Sequence, residues 1–289
     1  MPDAPPTKGV ANDKPQGKRT MAASSDTWEL YAVKYGTMAD RTRRTNLVGI
    51  DPHDDAPMPL DYFVWAAVNG KRAIVIDTGF ETKEAKRRGR TLERSVTEAL
   101  ATVGVRADRI EDVIATHLHY DHIGGHEQFP RARFHLQERE MQFATGPHMC
   151  THTLNASFTA DHIAAMVRNV FAGRVSFYDG AAEIAPGISI HYVGGHSMGL
   201  QVVRVKTKRG HVVVASDATH FYANMEEGQL FPVIFDAAAM VKAWQTLHDL
   251  ADSPAHIVPG HDPLVLSRYA APKKALQGIA AKLDVKPKG

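Results

Sequence analysis

One segment decides the interpretation of this chain: Thr116 to Gly125 reads THLHYDHIGG. An apolar run precedes it at residues 112–115, which predicts a strand that ends at the segment. Alternation along an extended backbone would point the two histidines of HLH the same way, and a turn would bring the next two polar residues to a nearby point. Imidazole and carboxylate without sulfur favour Zn²⁺, with Fe, Mn or Co as alternatives. The candidate ligands are His117, His119, Asp121 and His122.

Three further ligand-type residues follow apolar runs elsewhere in the chain. His196 follows residues 188–193, Asp217 follows residues 212–215, and His261 follows residues 257–258. A single cluster cannot fill two coordination spheres, so more ligands are expected at other strand ends. The repeated context predicts that these three residues converge with the 116–125 segment.

Composition excludes several classes of protein. The chain has 289 residues, 44% of them hydrophobic, and a net charge of +2 from 34 basic and 32 acidic residues. This balance indicates no nucleic acid and no anionic membrane as a partner. Cys150 is the only cysteine, so neither an internal disulfide nor a multi-cysteine metal site is possible. No apolar run approaches the roughly 20 residues of a membrane helix, and we expect a cytoplasmic protein.

The chain is predicted to consist of a disordered N-terminal arm, residues 1–26, and a single domain, residues 27–289. Apolar residues at helical spacing alternate with short β-like runs, and Lys208-Arg209-Gly210 marks a tight hairpin. We expect one helix from Leu92 to Val103 and another that begins at Asp236 and turns Met240, Val241, Trp244 and Leu247 inward. The fold class is therefore α/β with mixed sheets.

The motif HLHYDH, followed by an isolated histidine, aspartate and histidine in that order, resembles the metallo-β-lactamase superfamily of dinuclear metal hydrolases. The resemblance runs from about Trp28 to about Tyr269. It implies an αββα sandwich with two divalent ions at one edge between the sheets. The ligands that it implies are His117, His119 and His196 for one ion, Asp121, His122 and His261 for the other, and Asp217 for both. Asp77, in Val-Ile-Asp-Thr-Gly, matches an early segment of the family, and its implied role is to orient ligands.

Within the superfamily the chain is similar to the N-acyl-homoserine lactonase branch. This similarity implies that a hydroxide bridging the two ions opens the ring of an N-acyl-homoserine lactone or a related small lactone, while Asp121 passes a proton to the leaving oxygen. Those lactonases usually place a tyrosine three residues after the bridging aspartate. Here His220 occupies that position and Tyr222 follows, so one of them is the expected donor to the carbonyl oxygen. The expected partner is a small-molecule lactone or ester; a homodimer is an option that the sequence leaves open.

Other interpretations keep part of the pattern. The same ions could serve a phosphotriesterase, an aryl esterase or another ester hydrolase, and closed coordination would give a metal-stabilised binding module. Gly195 to Gly199 reads GHSMG and matches the nucleophile elbow of serine hydrolases, with Asp249 and His256 or His261 to complete a triad. That elbow must lead into a helix, whereas residues 200–215 predict a hairpin. Apolar residues at 230–235 are a candidate lid, with core packing as the alternative.

Overall fold

The computed structural model describes residues 27–288. Its strands are β1 Glu29–Met38, β2 Leu60–Asn69, β3 Arg72–Ile76, β4 Thr91–Leu92, β5 Asp112–Ile114, β6 Arg133–Gln137, β7 Val175–Tyr178, β8 Ala182–Ala185, β9 Ile188–Tyr192, β10 Gln201–Thr207, β11 Gly210–Ser216, β12 Ile257–Pro259 and β13 Ala280–Lys282. Its α-helices are α1 Arg43–Asn46, α2 Thr82–Arg88, α3 Val96–Thr102, α4 Tyr120–Ile123, α5 Glu138–Thr145, α6 His152–Asn155, α7 Ala160–Phe171, α8 Tyr222–Glu227, α9 Ala237–Leu250 and α10 Leu264–Arg268. Within this range no helix has the length and hydrophobicity needed to cross a bilayer. The predicted disordered arm lies outside the described residues.

The strands form two mixed sheets, as expected from the sequence. The first runs in the order β13-β1-β2-β3-β5-β6-β7, with β4 paired to β1, and the second runs β12-β11-β10-β9-β8. The pairs β3·β5, β5·β6, β6·β7 and β11·β12 are parallel, and the other pairs are antiparallel.

Alternating side chains of the central strands build separate cores on the two faces of each sheet. In β2, Phe63 and Trp65 belong to a core that also contains Val212 and Val214 of β11, so this core lies between the sheets. Val64 of β2 belongs to an outer core with residues of α3, α5 and α7. On the far side, Val213 of β11 packs with residues of α9. The layer order is therefore helices, sheet, sheet, helix, which confirms the predicted αββα sandwich.

Helix ends follow local capping. The Asp236 carboxylate accepts a hydrogen bond from the Ala239 N–H, and α9 begins at the predicted place. Val241, however, is 50% exposed, so its predicted inward orientation is wrong; it stands only one position after buried Met240 and turns outward. The helix expected from Leu92 begins only after Ser95, whose side chain caps α3, because residues 91–92 pair with β1.

The carboxyl ends of five strands meet at one edge of the sandwich. In the first sheet β3 and β5 are parallel neighbours. In the second sheet β11 and β12 are parallel, and β9 has the same direction because both β9 and β11 are antiparallel to β10. The loops after these five strands carry the candidate ligands and Asp77.

Candidate metal centre

All seven predicted ligands are buried and converge at this edge. We call His117, His119 and His196 the first position. The Nδ1 atom of His119 lies 3.0 Å from Nε2 of His117 and 2.9 Å from Nε2 of His196. Three imidazole nitrogens therefore face one point.

Asp121, His122 and His261 form what we call the second position. The Oδ2 atom of Asp121 lies 3.8 Å from Nε2 of His122 and 3.9 Å from Nε2 of His261. Asp217 stands between the two positions. Its Oδ2 lies 3.2 Å from Nε2 of His196, and its Oδ1 lies 3.1 Å from Nε2 of His261. One carboxylate oxygen thus faces each position.

The residues fit a pair of divalent ions. Tetrahedral coordination with bonds of about 2.0–2.1 Å separates neighbouring ligand atoms by about 3.3 Å, which is the middle of the distances observed here. Nε2 of His122 and Oδ1 of Asp217 are buried, lie 3.4 Å apart, and have no hydrogen-bond partner among the described residues. A bound cation would satisfy both atoms.

The glycines after the motif permit a close approach of two chain segments. A Cβ at Gly124 would lie 2.4 Å from the carbonyl oxygen of Tyr120, and one at Gly125 would lie 2.2 Å from that of Thr78. The Gly125 N–H donates to the Gly79 carbonyl, and the Thr78 N–H donates to the His122 carbonyl. Glycine at these places therefore lets the ligand loop pack on the segment that carries Asp77.

Four ligand rings contact a neighbouring group through their second nitrogen. Nδ1 of His117 lies 3.1 Å from the Thr116 hydroxyl oxygen. Nδ1 of His122 lies 2.8 Å from Oδ2 of Asp77, a fully buried carboxylate that also accepts from the N–H and hydroxyl of Thr116. Nδ1–H of His261 donates to the Asp61 carbonyl, and Nδ1–H of His196 donates to the Val233 carbonyl. Asp77 therefore has the contacts that its implied orienting role requires.

Glu140, which the sequence analysis missed, ties two ligand loops together. Its Oε1 accepts from the Leu118 N–H at 2.9 Å, and its Oε2 accepts from the Ser197 hydroxyl at 2.7 Å and the Gly199 N–H at 2.9 Å. Nothing in the sequence distinguishes Glu140 from exposed Glu138 in the same helix, because the bonds connect residues far apart in the chain. The Ser197 hydroxyl is occupied, and β10 rather than a helix follows it, so the structure gives no nucleophile elbow.

Burial and neighbouring charges shift the pKa values of the histidines in opposite directions at the two positions. Burial, helped by neighbouring imidazoles, lowers the pKa of His117 and His119 well below the usual value. Burial also lowers the pKa of His122, but the carboxylates of Asp217 and Asp77 outweigh it and raise this pKa well above the usual value. The second position thus concentrates negative charge in a buried place, an environment that suits a cation.

The two candidate donors lie in different places. Nε2 of His220 is 3.0 Å from Oδ2 of Asp217, and the ring stacks on Phe231 with 3.6 Å between centroids. Burial lowers the pKa of His220 to about 3, against the attraction of Asp217, so the ring is neutral. Tyr222 instead lies in the core between the sheets, with the Arg268 guanidinium over its ring. Its expected donor role is therefore corrected: the Tyr222 side chain lines a separate cavity.

A cavity of about 310 Å³ opens beside the cluster. Ligands of both positions line it, together with His220 and with Pro232 and Val233 of the candidate lid. Phe231 of the same segment is fully buried, so this part of the lid is core packing.

Non-glycine residues with positive φ border the ligands. In the described chain they are Asp77 (φ 62°), Ser216 (φ 45°) and Val233 (φ 71°). Asp77 and Val233 hold His122 and His196, and Ser216 directly precedes Asp217. Strained backbone of this kind persists only where its surroundings enforce it.

The chain is similar in sequence and fold to known proteins. An N-acyl homoserine lactonase, AiiA, of Bacillus thuringiensis subsp. kurstaki is 25% identical over 176 residues, which cover 60% of this chain and 64% of the relative. The match thus spans less than two thirds of that protein. The crystal structure of a quorum-quenching N-acyl homoserine lactone lactonase superposes with a TM-score of 0.67 at 21% identity, covering 82% of this chain and 92% of the other.

The dizinc quorum-quenching lactonase AidC gives a TM-score of 0.63 at 16% identity and covers 81% of this chain and 87% of its own. These two likenesses show the fold. The family model described as metallo-beta-lactamase superfamily matches residues 58–261, which is more than half of the chain. The chain belongs to the metallo-beta-lactamase superfamily.

Proposed function

We propose that this protein is a hydrolase that opens a lactone ring, that of an N-acyl homoserine lactone or a related small lactone, and that it uses two divalent ions, with zinc first among the candidates. The observation that carries the proposal is the arrangement of Asp217 between two ligand sets. The curated relatives at about 25% identity, named as N-acyl homoserine lactonases, support the choice of substrate.

The cavity favours catalysis over closed coordination. His119 and His196 of the first position and Asp121 and His261 of the second all line it, so a substrate can reach both positions. Two divalent ions bound here would supply a water of lowered pKa and polarise a carbonyl group.

Two side chains have the placement to assist. Asp121 lines the cavity, and its backbone carbonyl is fixed by the Tyr35 hydroxyl; we assign its carboxylate the transfer of a proton to the leaving oxygen. His220 reaches the cavity beside Asp217. Its neutral ring has one N–H, which lies on the nitrogen that faces Oδ2 of Asp217, and we assign this N–H the role of donor to the carbonyl oxygen of a substrate that enters beside that carboxylate.

Replacement of His220 tests this assignment. We expect His220→Ala to lower kcat on N-hexanoyl homoserine lactone about a hundredfold, because a donor to the developing oxyanion is lost. Ion content, measured by elemental analysis, should stay at the wild-type value. His248→Ala removes an exposed histidine and is the matched control. Full activity of His220→Ala on every lactone tested would refute the donor role.

A substrate panel tests the activity itself. The metal-analysed protein should hydrolyse lactones with graded acyl chains faster than aryl esters or phosphotriesters, and chelation should abolish turnover. Phosphotriester hydrolysis well above lactone hydrolysis would favour the alternative ester hydrolase. Two bound ions with no turnover of any of these compounds would favour a binding module.

A further inference from the structure

Two arginines line the cavity beside the ligand cluster. Arg41 follows β1 and Arg90 follows α2, and both side chains are half-buried. We call them the arginine pair. Among residues 27–288, neither forms an ion pair with a carboxylate. Two positive charges therefore face one small cavity with no carboxylate in ion-pair contact, while the Asp121 carboxylate lines the same cavity at a greater distance.

Neighbouring arginines behave differently. Arg43 pairs with Asp54 and Glu227, and Arg44 pairs with Asp55. Near the other member of the pair, Arg88 bonds the carboxylate of Glu84. In these two segments, only the arginines that line the cavity have no carboxylate partner. A general scarcity of acidic residues does not explain this difference, because the neighbouring arginines find carboxylates.

The arginine pair is held in place with donors to spare. Arg41 donates from Nε to Oδ1 of Asn46 at 2.7 Å and from Nη2 to the Thr45 carbonyl. Arg90 donates from Nε to the Tyr120 hydroxyl at 3.0 Å and from Nη1 to the Arg88 carbonyl at 2.8 Å. A guanidinium has five N–H donors, so these bonds orient each group while most of its donors remain for a ligand.

The two charges are not equally compensated. Burial lowers the pKa of Arg41, and the positive charge of Arg90 lowers it further. Burial lowers the pKa of Arg90 too, but Tyr120, Tyr62 and the Asp121 carboxylate outweigh it and raise this pKa. Half-buried guanidinium groups normally find a carboxylate, because a partly desolvated charge needs compensation. An anionic ligand in the cavity would provide that compensation for both groups.

A short series of contacts connects Arg90 to the second position. The Tyr120 hydroxyl, which accepts from Arg90, lies 3.1 Å from the Tyr62 hydroxyl. The Tyr62 ring packs edge-on against His261, with 5.3 Å between centroids, and Tyr120 directly precedes Asp121. A ligand held by the arginines would therefore extend towards the ions from a fixed direction.

We propose that Arg41 and Arg90 bind a carboxylate that the substrate carries on the part remote from its lactone ring. The inference rests on the proposed lactonase function and specifies its substrate class: a lactone with an anionic substituent in place of a purely apolar acyl chain. The guanidinium fork matches a carboxylate in shape and charge. A cavity of about 310 Å³ suits a small substrate of this kind.

The first test compares two substrates of equal chain length. N-adipoyl homoserine lactone differs from N-hexanoyl homoserine lactone in carrying a carboxylate where the other has a methyl group. We expect the wild-type protein to hydrolyse the adipoyl compound with a kcat/KM about tenfold to a hundredfold higher, the range of a charge-assisted contact. Equal values, or a preference for the hexanoyl compound, would overturn the proposal.

Variants of the two arginines then test whether these residues cause the preference for the adipoyl compound. Arg41→Gln and Arg90→Gln should each reduce the adipoyl-to-hexanoyl ratio of kcat/KM about tenfold, and Arg41→Lys and Arg90→Lys should restore part of it. Arg44→Gln is the control. Arg44 is exposed, lies in the same segment as Arg41 and pairs with Asp55, so this variant should leave the ratio unchanged. Thermal unfolding of each variant identifies any that fail to fold, and the lysine variants then decide. An unchanged ratio in the folded variants would refute the assignment.

Binding of adipate itself separates this inference from the proposed function, because it needs no turnover. Calorimetric binding that weakens about tenfold in Arg41→Gln and Arg90→Gln, in a protein that hydrolyses neither lactone, would support the anion site while refuting the lactonase. Hydrolysis of both lactones with no preference and no adipate binding would refute the anion site alone.

Discussion

The first and second positions are held by groups of different kinds. At the second position His122 bonds the buried carboxylate of Asp77, which directly follows β3, and His261 bonds the carbonyl of Asp61 in β2. At the first position His196 bonds the carbonyl of Val233, in a segment with neither helix nor strand. Both histidines of the second position thus bond residues in or next to strands, whereas His196 of the first position bonds a loop and His117 contacts the Thr116 hydroxyl.

This difference predicts that the two positions lose their ions at different chelator concentrations. Loop segments open at lower free energy than core strands, so we expect the first position to lose its ion first as chelator concentration rises. The predictions below change residues that support one position or the other, in order of expected effect.

Asp77→Asn should have the largest effect. Loss of the carboxylate removes the charged partner of His122, and replacing such an orienting group typically costs about tenfold to a hundredfold in ion affinity or activity. Asparagine tolerates the positive φ at this place, so the backbone is kept. Ion affinity by chelator competition is the measurement, and Asp284→Asn, a buried carboxylate outside the ligand set, is the control. Unchanged affinity would contradict the orienting role.

Glu140→Gln should weaken the first position selectively. The amide cannot accept all three bonds that the carboxylate accepts, so the loops of His119 and His196 lose a connection. We expect a fall of about 1–3 kcal/mol in the free energy of unfolding and easier removal of one ion of the two. Glu138→Gln changes an exposed residue of the same helix as the control. Equal weakening of both ions would show that the two positions do not differ in this respect.

Val233→Asn, unlike the two substitutions above, should stabilise the protein. Valine is β-branched and strained at φ 71°, whereas asparagine enters this region readily. The carbonyl that accepts from His196 is kept. We therefore expect chemical denaturation to show a gain of about 1 kcal/mol in the free energy of unfolding, with ion binding preserved. A loss of stability would mean that the Val233 side chain contributes more than its strain costs.

Glu84→Gln should have the smallest effect and a distinct pH dependence. Burial raises the pKa of Glu84, but hydrogen bonds from Arg87 and Arg88 outweigh it and lower this pKa to about 2. Arg88 also donates to the carbonyl of Phe158, whose ring packs on His119. The expected destabilisation, reduced by solvent screening, is about 1 kcal/mol.

The lowered pKa of Glu84 determines how its contribution to stability depends on pH. The stabilising contribution of Glu84 is present above its ordinary pKa of 4.5 and is lost as the pH falls towards about 2. The difference in unfolding free energy between wild type and Glu84→Gln should therefore be complete near neutral pH and vanish in acid. A difference independent of pH would exclude this ion pair as its source.

Local pattern was enough to predict which residues converge at one edge and that the sheets are mixed, while the αββα layers followed from the family resemblance. HLHYDH and the residues after three other strands contain the whole cluster, because one ligand type recurs in one structural context. Tyr222 and Glu140 were misjudged or missed for another reason: their roles depend on which way a helix start turns and on bonds across loops, and neither leaves a periodic signal. The homodimer and the cytoplasmic location stay predictions.

The three left-handed residues at the ligands have a consequence for laboratory evolution. Asp77, Ser216 and Val233 each hold a left-handed backbone conformation next to a candidate ligand, which costs conformational energy. A library selected for heat resistance alone would enrich glycine or asparagine at these codons, including the one whose carboxylate holds His122. Such a selection would give a more stable protein with a less active site unless turnover were screened in every round.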